Sequence, residues 1–184
     1  MKLSKDYKYS ILCEDKLTQC FIRRFLIAQG ISGRKINALP LPAEGCGEQY
    51  VRQQYPKQLH YLRSNNFVSN VLLVAIDADA KTCVERQKQL DEYSESVKVS
   101  QRAESDKLLL FIPKRNMETW VKYFDGEAVD EDHDYAHFLN GHESDCYNAA
   151  DKMSEVFSAK SFTSELSSLQ FAYKEYTRII RLIG

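Results

Sequence analysis

The chain has 184 residues, of which 43% are hydrophobic and 11% aromatic, and this composition supports one globular core. It excludes a disordered or fibrous chain. Lys and Arg total 25 against 26 Asp and Glu, so the net charge is -1 and the surface is not generally basic. Binding of nucleic acid would therefore require a local basic patch or metal ions.

The five cysteines lie far apart in the sequence and form no CxxC pair. This spacing argues against a disulfide framework and against a zinc knuckle. No apolar run approaches the roughly 18 residues that a membrane-spanning helix needs. We therefore expect a cytoplasmic protein without a signal peptide or a membrane segment.

The N-terminal part of the chain predicts two strand-and-helix pairs. A strand at residues 9–13 precedes a helix whose apolar positions recur at helical spacing up to a stop at Gly30. A second strand spans residues 35–41 and is weakened by Pro40. Residues 43–64 begin with a glycine-containing turn and continue on a helical pattern that Pro56 would kink or interrupt.

The third strand has the clearest signal, because residues 71–76 (VLLVAI) are apolar throughout, as in a strand that is buried on both faces. A polar helix follows over residues 80–96. A fourth apolar strand at residues 107–113 precedes a short helix at residues 116–124. This alternation predicts an α/β fold with a mainly parallel four-stranded sheet flanked by helices.

The C-terminal third has a different character. Residues 125–145 are rich in acidic residues and histidine, and we expect them to form an exposed excursion. Two helices follow at about residues 146–157 and 164–183, and the second carries an apolar stripe that we interpret as core packing. The prediction is a sheet domain at residues 1–124, with the excursion and the C-terminal helices of residues 125–184 packed on the same domain.

Acidic residues follow two of the predicted strands. In an open parallel sheet, ligands bind at the carboxyl ends of the strands. Asp77 and Asp79 follow the third strand, and strand alternation would direct both side chains to the same side. Glu14 follows the first strand. Were these strands adjacent, the three carboxylates would form a cluster suited to Mg²⁺ or Mn²⁺ and to phosphodiester chemistry.

Simpler interpretations of the same residues remain open. Asp77 and Asp79 would also serve as caps of the following helix, since helix N-termini favour aspartate. Lys81 would either contact a phosphate or be a solvated lysine in the first helical turn. Lys114 and Arg115 follow the fourth strand at the same sheet edge and are candidates for binding a substrate phosphate. The stretch EGCGE near residue 46 is a turn, or an approach of backbone amides to a phosphate.

The segments ILCEDKLTQCFIRRFL and VLLVAIDADAKT resemble the topoisomerase-primase (TOPRIM) domain over about residues 7–124, especially its versions in OLD-type nucleases and small phage-defence proteins. The resemblance implies that Glu14, Asp77 and Asp79 bind divalent metal. We add Lys81 to this catalytic set because of its position after the aspartates. The segment FIPKRNMETW resembles the OLD-like branch and implies Glu118 as a further acidic ligand. An ion pair with Arg115, three residues earlier on an exposed helix, explains Glu118 equally well.

Two positions depart from the family pattern. Members commonly have glycine directly after the glutamate and an acidic residue four positions beyond it, whereas Asp15 and Thr18 stand at these positions. The missing glycine leaves the shape of this turn open. Asp15 would act as an additional metal ligand or face solvent.

The resemblance implies a nuclease that cuts DNA or RNA with Mg²⁺ or Mn²⁺. It also implies an effector of anti-phage defence that acts with an ATPase partner. The near-neutral charge suggests that this partner or a homo-oligomer supplies part of the contact with nucleic acid. The ATPase would be a separate chain, since the sequence has no P-loop. The alternative is a catalytically inactive TOPRIM-like sensor or interaction subunit.

Two other classes are less consistent with the residues. A haloacid-dehalogenase-like phosphatase needs its Asp-x-Asp on the first strand and Thr or Val where Lys81 stands. A zinc site at His133, His137, His142 and Cys146 lacks a paired metal-binding framework, so we interpret these as surface residues.

Overall fold

Four strands form one sheet within the residues that this computed structural model describes, which are 1–43, 45–135 and 142–184. The strands are β1 (Lys8–Leu12), β2 (Ile36–Ala38), β3 (Asn70–Ala75) and β4 (Leu108–Phe111). Their order is β2-β1-β3-β4, and each neighbouring pair is parallel. The predicted α/β fold with a mainly parallel four-stranded sheet is confirmed.

Six α-helices accompany the sheet in this part of the chain. They are α1 (Lys16–Ala28), α2 (Gly47–Ser64), α3 (Cys83–Ser96), α4 (Met117–Phe124), α5 (Tyr147–Ser158) and α6 (Ser167–Ile183). Pro56 lies inside α2, which is 18 residues long and is not interrupted by the proline. Gly30 follows α1 with a φ of 93°, the left-handed conformation that commonly ends a helix. Among the described helices, none is both long and apolar enough to cross a membrane.

The sheet separates two apolar cores, because successive side chains of a strand point to opposite faces. In β3, Val71, Leu73 and Ala75 belong to the core shared with α1, α4, α5 and α6. Leu72 and Val74 belong to the second core, shared with α2 and α3. The continuous apolar run of the third strand is therefore explained by burial on both faces.

The C-terminal helix α6 covers the outer edge of β4. The N–H of Leu110 donates a hydrogen bond to Glu175 at 3.3 Å, and the Arg178 guanidinium donates to the carbonyl of Leu108. These bonds satisfy backbone groups that an uncovered edge strand would leave open to another chain. The predicted helical extension is thus confirmed, and it closes one side of the sheet.

The acidic excursion is largely exposed over residues 125–135, which precede the residues that the structure does not describe. Glu131 fixes it to the start of α6. The carboxylate accepts hydrogen bonds from the N–H groups of Ser167 (2.8 Å) and Ser168 (3.0 Å), and from both hydroxyls. A negative charge at this end of a helix is stabilised by the helix dipole.

Candidate functional site

The carboxyl ends of β1 and β3 lie side by side. The strand order places β1 between β2 and β3, and the register pairs Leu12 with Val74. The connection after β1 leads to β2 and the connection after β3 leads to β4, in opposite directions across the sheet. The gap between the ends of β1 and β3 is therefore a topological switch point, where open α/β sheets bind ligands. The adjacency of the first and third strands, on which the predicted carboxylate cluster depends, is present.

Glu14 and Asp77 meet directly at this edge. The Oε1 atom of Glu14 accepts a hydrogen bond from the backbone N–H of Asp77 at 2.8 Å. Both side chains are half-buried. The Glu14 carboxyl group is thus held against the backbone of Asp77.

The start of α2 packs against Glu14. A Cβ atom at Gly47 would lie 2.8 Å from the Cβ of Glu14 and 3.1 Å from its Oε2. Any larger residue would therefore displace the helix or the carboxylate. In the stretch EGCGE, Gly47 begins α2 and allows this close approach, which the sequence did not reveal.

Three carboxyl groups have pKa values above their ordinary range. Burial raises the pKa of Glu14 to about 7, and the charge of Asp79 adds to this increase. Burial and the charge of Glu14 raise the pKa of Asp77 well above its usual value. Burial also raises the pKa of Glu118 to about 7, with further contributions from Asp15 and Asp134.

These three carboxyl groups form no ion pair in the described part of the chain, although the charge of Arg86 lowers the pKa of Glu14. The charge of Glu118 contributes to the raised pKa of Asp77, so both groups lie in the same region. In the described part of the chain, no Lys, Arg or His forms an ion pair with Glu14, Asp77 or Glu118. A bound proton or an added cation must therefore offset their charge.

The donor chemistry at this edge fits a hard divalent cation, since Mg²⁺ and Mn²⁺ prefer carboxylate oxygens. The spacing, however, is not that of a formed coordination sphere. Among the described residues, no group of three or more His, Cys, Asp or Glu side chains is close enough to hold a metal ion. Binding of an ion by Glu14, Asp77 and Glu118 would therefore require these side chains to move closer together.

Asp79 has a different environment from Asp77. Strand β3 ends at Ala75 and Asp79 has a φ of 54°, so the alternation that we expected of the two aspartates does not extend to them. The Asp79 carboxylate accepts a hydrogen bond from Arg86 at 2.5 Å, and 59% of the side chain is exposed. Its role as a metal ligand stays a prediction.

Arg86 is a buried cation that the sequence analysis missed. Its side chain is 1% exposed and also donates to Glu48 at 2.7 Å and to Gln89 at 2.6 Å. A signal was present, because Arg86 falls between Cys83 and Leu90 at helical spacing on the buried side of α3. An arginine on that side of a polar helix indicates an internal ion pair.

The interpretation of the two aspartates as helix caps is wrong. The N-cap of α3 is Thr82, whose hydroxyl accepts from the N–H of Glu85 at 3.2 Å. The Glu85 side chain accepts from the N–H of Thr82 at 2.8 Å and completes a capping box. The amides at the start of α3 are therefore satisfied without Asp77 or Asp79.

Asp15 is the N-cap of α1. Its carboxylate accepts from the N–H of Thr18 at 2.8 Å and from the Thr18 hydroxyl at 3.0 Å. The backbone of Asp15 is extended, with a φ of -147°, so the turn after Glu14 does not need glycine. Both departures from the TOPRIM pattern thus form one helix cap.

The candidate phosphate-binding residues after β4 contact the acidic excursion. Lys114 donates to the carbonyl of Lys81 at 3.1 Å and lies 3.5 Å from the Asp132 carboxylate. Arg115 donates to the carbonyl of Asp132 at 3.0 Å. Lys81 itself lines a shallow groove along α3 with Glu85. Binding of a phosphate by Lys114 would therefore compete with Asp132.

The remaining candidates are Glu118 and the residues considered for a zinc site. Glu118 is half-buried in the first turn of α4, and the described residues include no ion pair between it and Arg115. His133 is exposed beside the ring of Tyr135, whereas Cys146 is buried. His142 is exposed, and His137 lies outside the described residues.

Comparisons with known proteins add no family assignment. No protein-family model, no curated protein and no solved structure matches the chain.

Proposed function

We propose that the chain is a divalent-metal-dependent nuclease that hydrolyses phosphodiester bonds of DNA or RNA where β1 and β3 end and α4 begins. The observation that carries the proposal is the set of three half-buried carboxyl groups, Glu14, Asp77 and Glu118, with raised pKa values. Burial and mutual repulsion disfavour the charged forms of these groups, and a divalent cation at this edge of the sheet would stabilise them as carboxylates.

In this proposal Glu14, Asp77 and Glu118 hold Mg²⁺ or Mn²⁺, and Asp79 joins them if Arg86 releases it. The bound ion would polarise the phosphoryl oxygen and activate a water molecule. Lys114 binds a phosphate of the substrate, because it follows β4 at the same edge and its side chain is held there by the carbonyl of Lys81 and by Asp132. We assign phosphate binding to Arg115 and Lys81 as well.

The central experiment replaces Asp77 by asparagine, which retains the shape of the side chain and removes its charge. We expect Asp77→Asn to lower Mg²⁺- or Mn²⁺-dependent cleavage of nucleic acid by about 100-fold or more, since such charges act on the transition state. Cleavage is measured on labelled single-stranded and duplex substrates, and circular dichroism monitors folding.

The matched control is Asp6→Asn, at an exposed aspartate before β1 and thus at the other end of the sheet. This variant should cleave like the wild type. Equal cleavage by wild type and Asp77→Asn would exclude the proposed site.

The resemblance to TOPRIM proteins extends the proposal to anti-phage defence in the cytoplasm, with a separate ATPase and, where it assembles, a homo-oligomer. The net charge of -1 is consistent with a need for such partners. Phosphate contacts normally come from several Lys and Arg side chains, and additional subunits would supply some of them.

A catalytically inactive sensor or interaction subunit is the second candidate. It is favoured by the Arg86 guanidinium, which already neutralises Asp79 beside the carboxyl cluster. Absence of cleavage with any divalent metal, with and without an ATPase partner, would favour this candidate.

A further inference from the structure

A groove of about 690 Å³ lies on the face of the sheet that also carries α2. Its walls come from β1, β2 and α2. In β1, Leu12 belongs to the core beneath α2, so Lys8 and Ser10 point to the same face by strand alternation. Both line the groove. Helix α2 packs on β1 and β3, and the outward side of β2 remains accessible at the exposed Asn37.

The charge of this groove differs from that of the chain as a whole. Four cationic residues line it, namely Lys8, Arg34, Lys35 and Lys57. None of the described lining residues is acidic, although the chain has a net charge of -1. Arg34 and Lys57 are exposed, and neither takes part in an ion pair within the described ranges. The groove is therefore a local basic patch of the kind that phosphate binding requires.

The groove also presents an aromatic ring and amide side chains. Tyr61 on α2 is 57% exposed, which is unusual for so large a side chain, and it lines the groove. Asn37 on β2 and Gln58 on α2 also line the groove. Cationic residues beside an exposed aromatic ring are the combination by which proteins bind single strands, with phosphates on the cations and a base on the ring.

We infer that this groove binds single-stranded nucleic acid. Lys8, Arg34, Lys35 and Lys57 contact the phosphates, Tyr61 stacks on a base, and the amide groups hydrogen-bond to base edges. A duplex fits this surface less well, since duplex readout places a protruding helix or ribbon into a groove of the DNA. Here the concave surface belongs to the protein.

The groove extends toward the carboxyl edge of the sheet. Its lining includes Leu39, which follows β2 and donates its N–H to the carbonyl of Ile11 at 2.9 Å. In the register of β1 and β2, Ile11 pairs with Ala38, so Leu39 lies level with Leu12, two residues before Glu14. That a bound strand continues from here to the carboxylates rests on the proposed function, whereas binding in the groove does not.

Binding is tested by fluorescence anisotropy with a labelled mixed-sequence oligonucleotide and its duplex, in EDTA so that no cleavage occurs. The double variant Arg34→Glu/Lys57→Glu should weaken binding of the single strand at least about tenfold and reduce its salt dependence. Tyr61→Ala should weaken it by about tenfold and affect the duplex less. Lys174→Glu/Lys160→Glu is the control, because it makes the same charge change at exposed lysines on and before α6.

Three results would overturn the inference. The wild-type protein could fail to bind the single strand, or the groove variants could bind it as tightly as the wild type does. The control variant could also lose as much affinity as the groove variant. Tighter binding of the duplex would reject the single-stranded ligand. Asp77→Asn separates the two proposals: we expect it to bind and not to cleave, while normal cleavage by this variant would reject the nuclease site and leave the groove intact.

Discussion

At the scale of single residues, Arg86 is the most constrained charge beside the candidate site. It is 1% exposed and donates to four oxygen atoms, on Glu48, Ala78, Asp79 and Gln89. A buried guanidinium is tolerated only with such partners, because removal from water is costly for a charge. Its positive charge also lowers the pKa of Glu14, which opposes the effect of burial.

We predict that Arg86→Met lowers the free energy of unfolding by about 1–3 kcal/mol, since it removes charged hydrogen bonds. Urea denaturation measures the change. Lys88→Met on the same helix is the control, because the Lys88 side chain is 74% exposed and its pair with Glu92 is 3.5 Å long. Equal stability of the two variants would show that the Arg86 ion pairs contribute little.

Glu118 gives a prediction for pH dependence without metal. Its pKa is raised to about 7 in the folded protein and is close to 4.5 when unfolded. A carboxyl with a raised pKa stabilises the fold at low pH, and this contribution is lost as the pH rises from about 4.5 through about 7. In EDTA, Glu118→Gln should therefore gain thermal stability relative to wild type over this interval.

The control for this experiment is Glu85, whose pKa is shifted in the opposite direction. Hydrogen bonds from Thr82 lower the pKa of Glu85, so the stabilisation by Glu85 is lost as the pH falls. Glu85→Gln should consequently be less stable than wild type at neutral pH, and this difference in stability should disappear as the pH falls. A stability difference between Glu118→Gln and wild type that does not change with pH would contradict the assigned environment of Glu118.

At the scale of elements, the acidic excursion connects the start of α6 with the start of α4. Glu131 accepts hydrogen bonds at α6, while Asp134 accepts from Asn116, the N-cap of α4, at 2.7 Å. Between them Asp132 faces Lys114. The excursion therefore places a carboxylate where the proposed function places a substrate phosphate.

We predict that Asp132→Asn strengthens binding of nucleic acid at this edge. The gain should be at most about fivefold, because an exposed ion pair contributes about 0.2–1 kcal/mol. The equilibrium binding of a labelled oligonucleotide measures it. The control Glu127→Gln removes a charge from the same excursion. Because Glu127 pairs with Lys122 and not with Lys114, this variant should have a smaller effect. Unchanged affinity in Asp132→Asn would show that Asp132 does not compete with phosphate.

At the scale of the whole molecule, Phe157 joins the C-terminal helices to the sheet. Its ring lies 6.0 Å from that of Phe25 in α1, 6.3 Å from Phe111 in β4 and 5.3 Å from Tyr176 in α6. The side chain is fully buried. Aromatic contacts of this kind connect residues far apart in sequence within one core.

We predict that Phe157→Ala lowers the free energy of unfolding by about 3–5 kcal/mol, as expected for a large cavity in a core. Chemical denaturation should show one transition for the sheet and the C-terminal helices together. Tyr147→Ala, at the exposed start of α5, should cost less, since 41% of that side chain is accessible. Separate transitions would show that the C-terminal helices unfold independently.

The sequence by itself determined the order of the elements, the burial of β3 on both faces and the positions of Glu14 and Asp77 after their strands. These features are encoded locally, in the period of apolar residues and in the acidic residues that end each run. The same local signals predicted the helix stop at Gly30 and the apolar stripe of α6. Hydrophobic pattern alone suffices here, because burial is the main determinant of each element.

Only the tertiary structure decided that β1 and β3 are neighbours, that Asp79 binds Arg86 and that Asp132 faces Lys114. Each of these contacts depends on where a turn directs a side chain or on residues distant in sequence. The basic groove has the same origin, because its cations come from β1, from the turn before β2 and from α2. Periodicity describes one element at a time, whereas a site is formed where several elements meet.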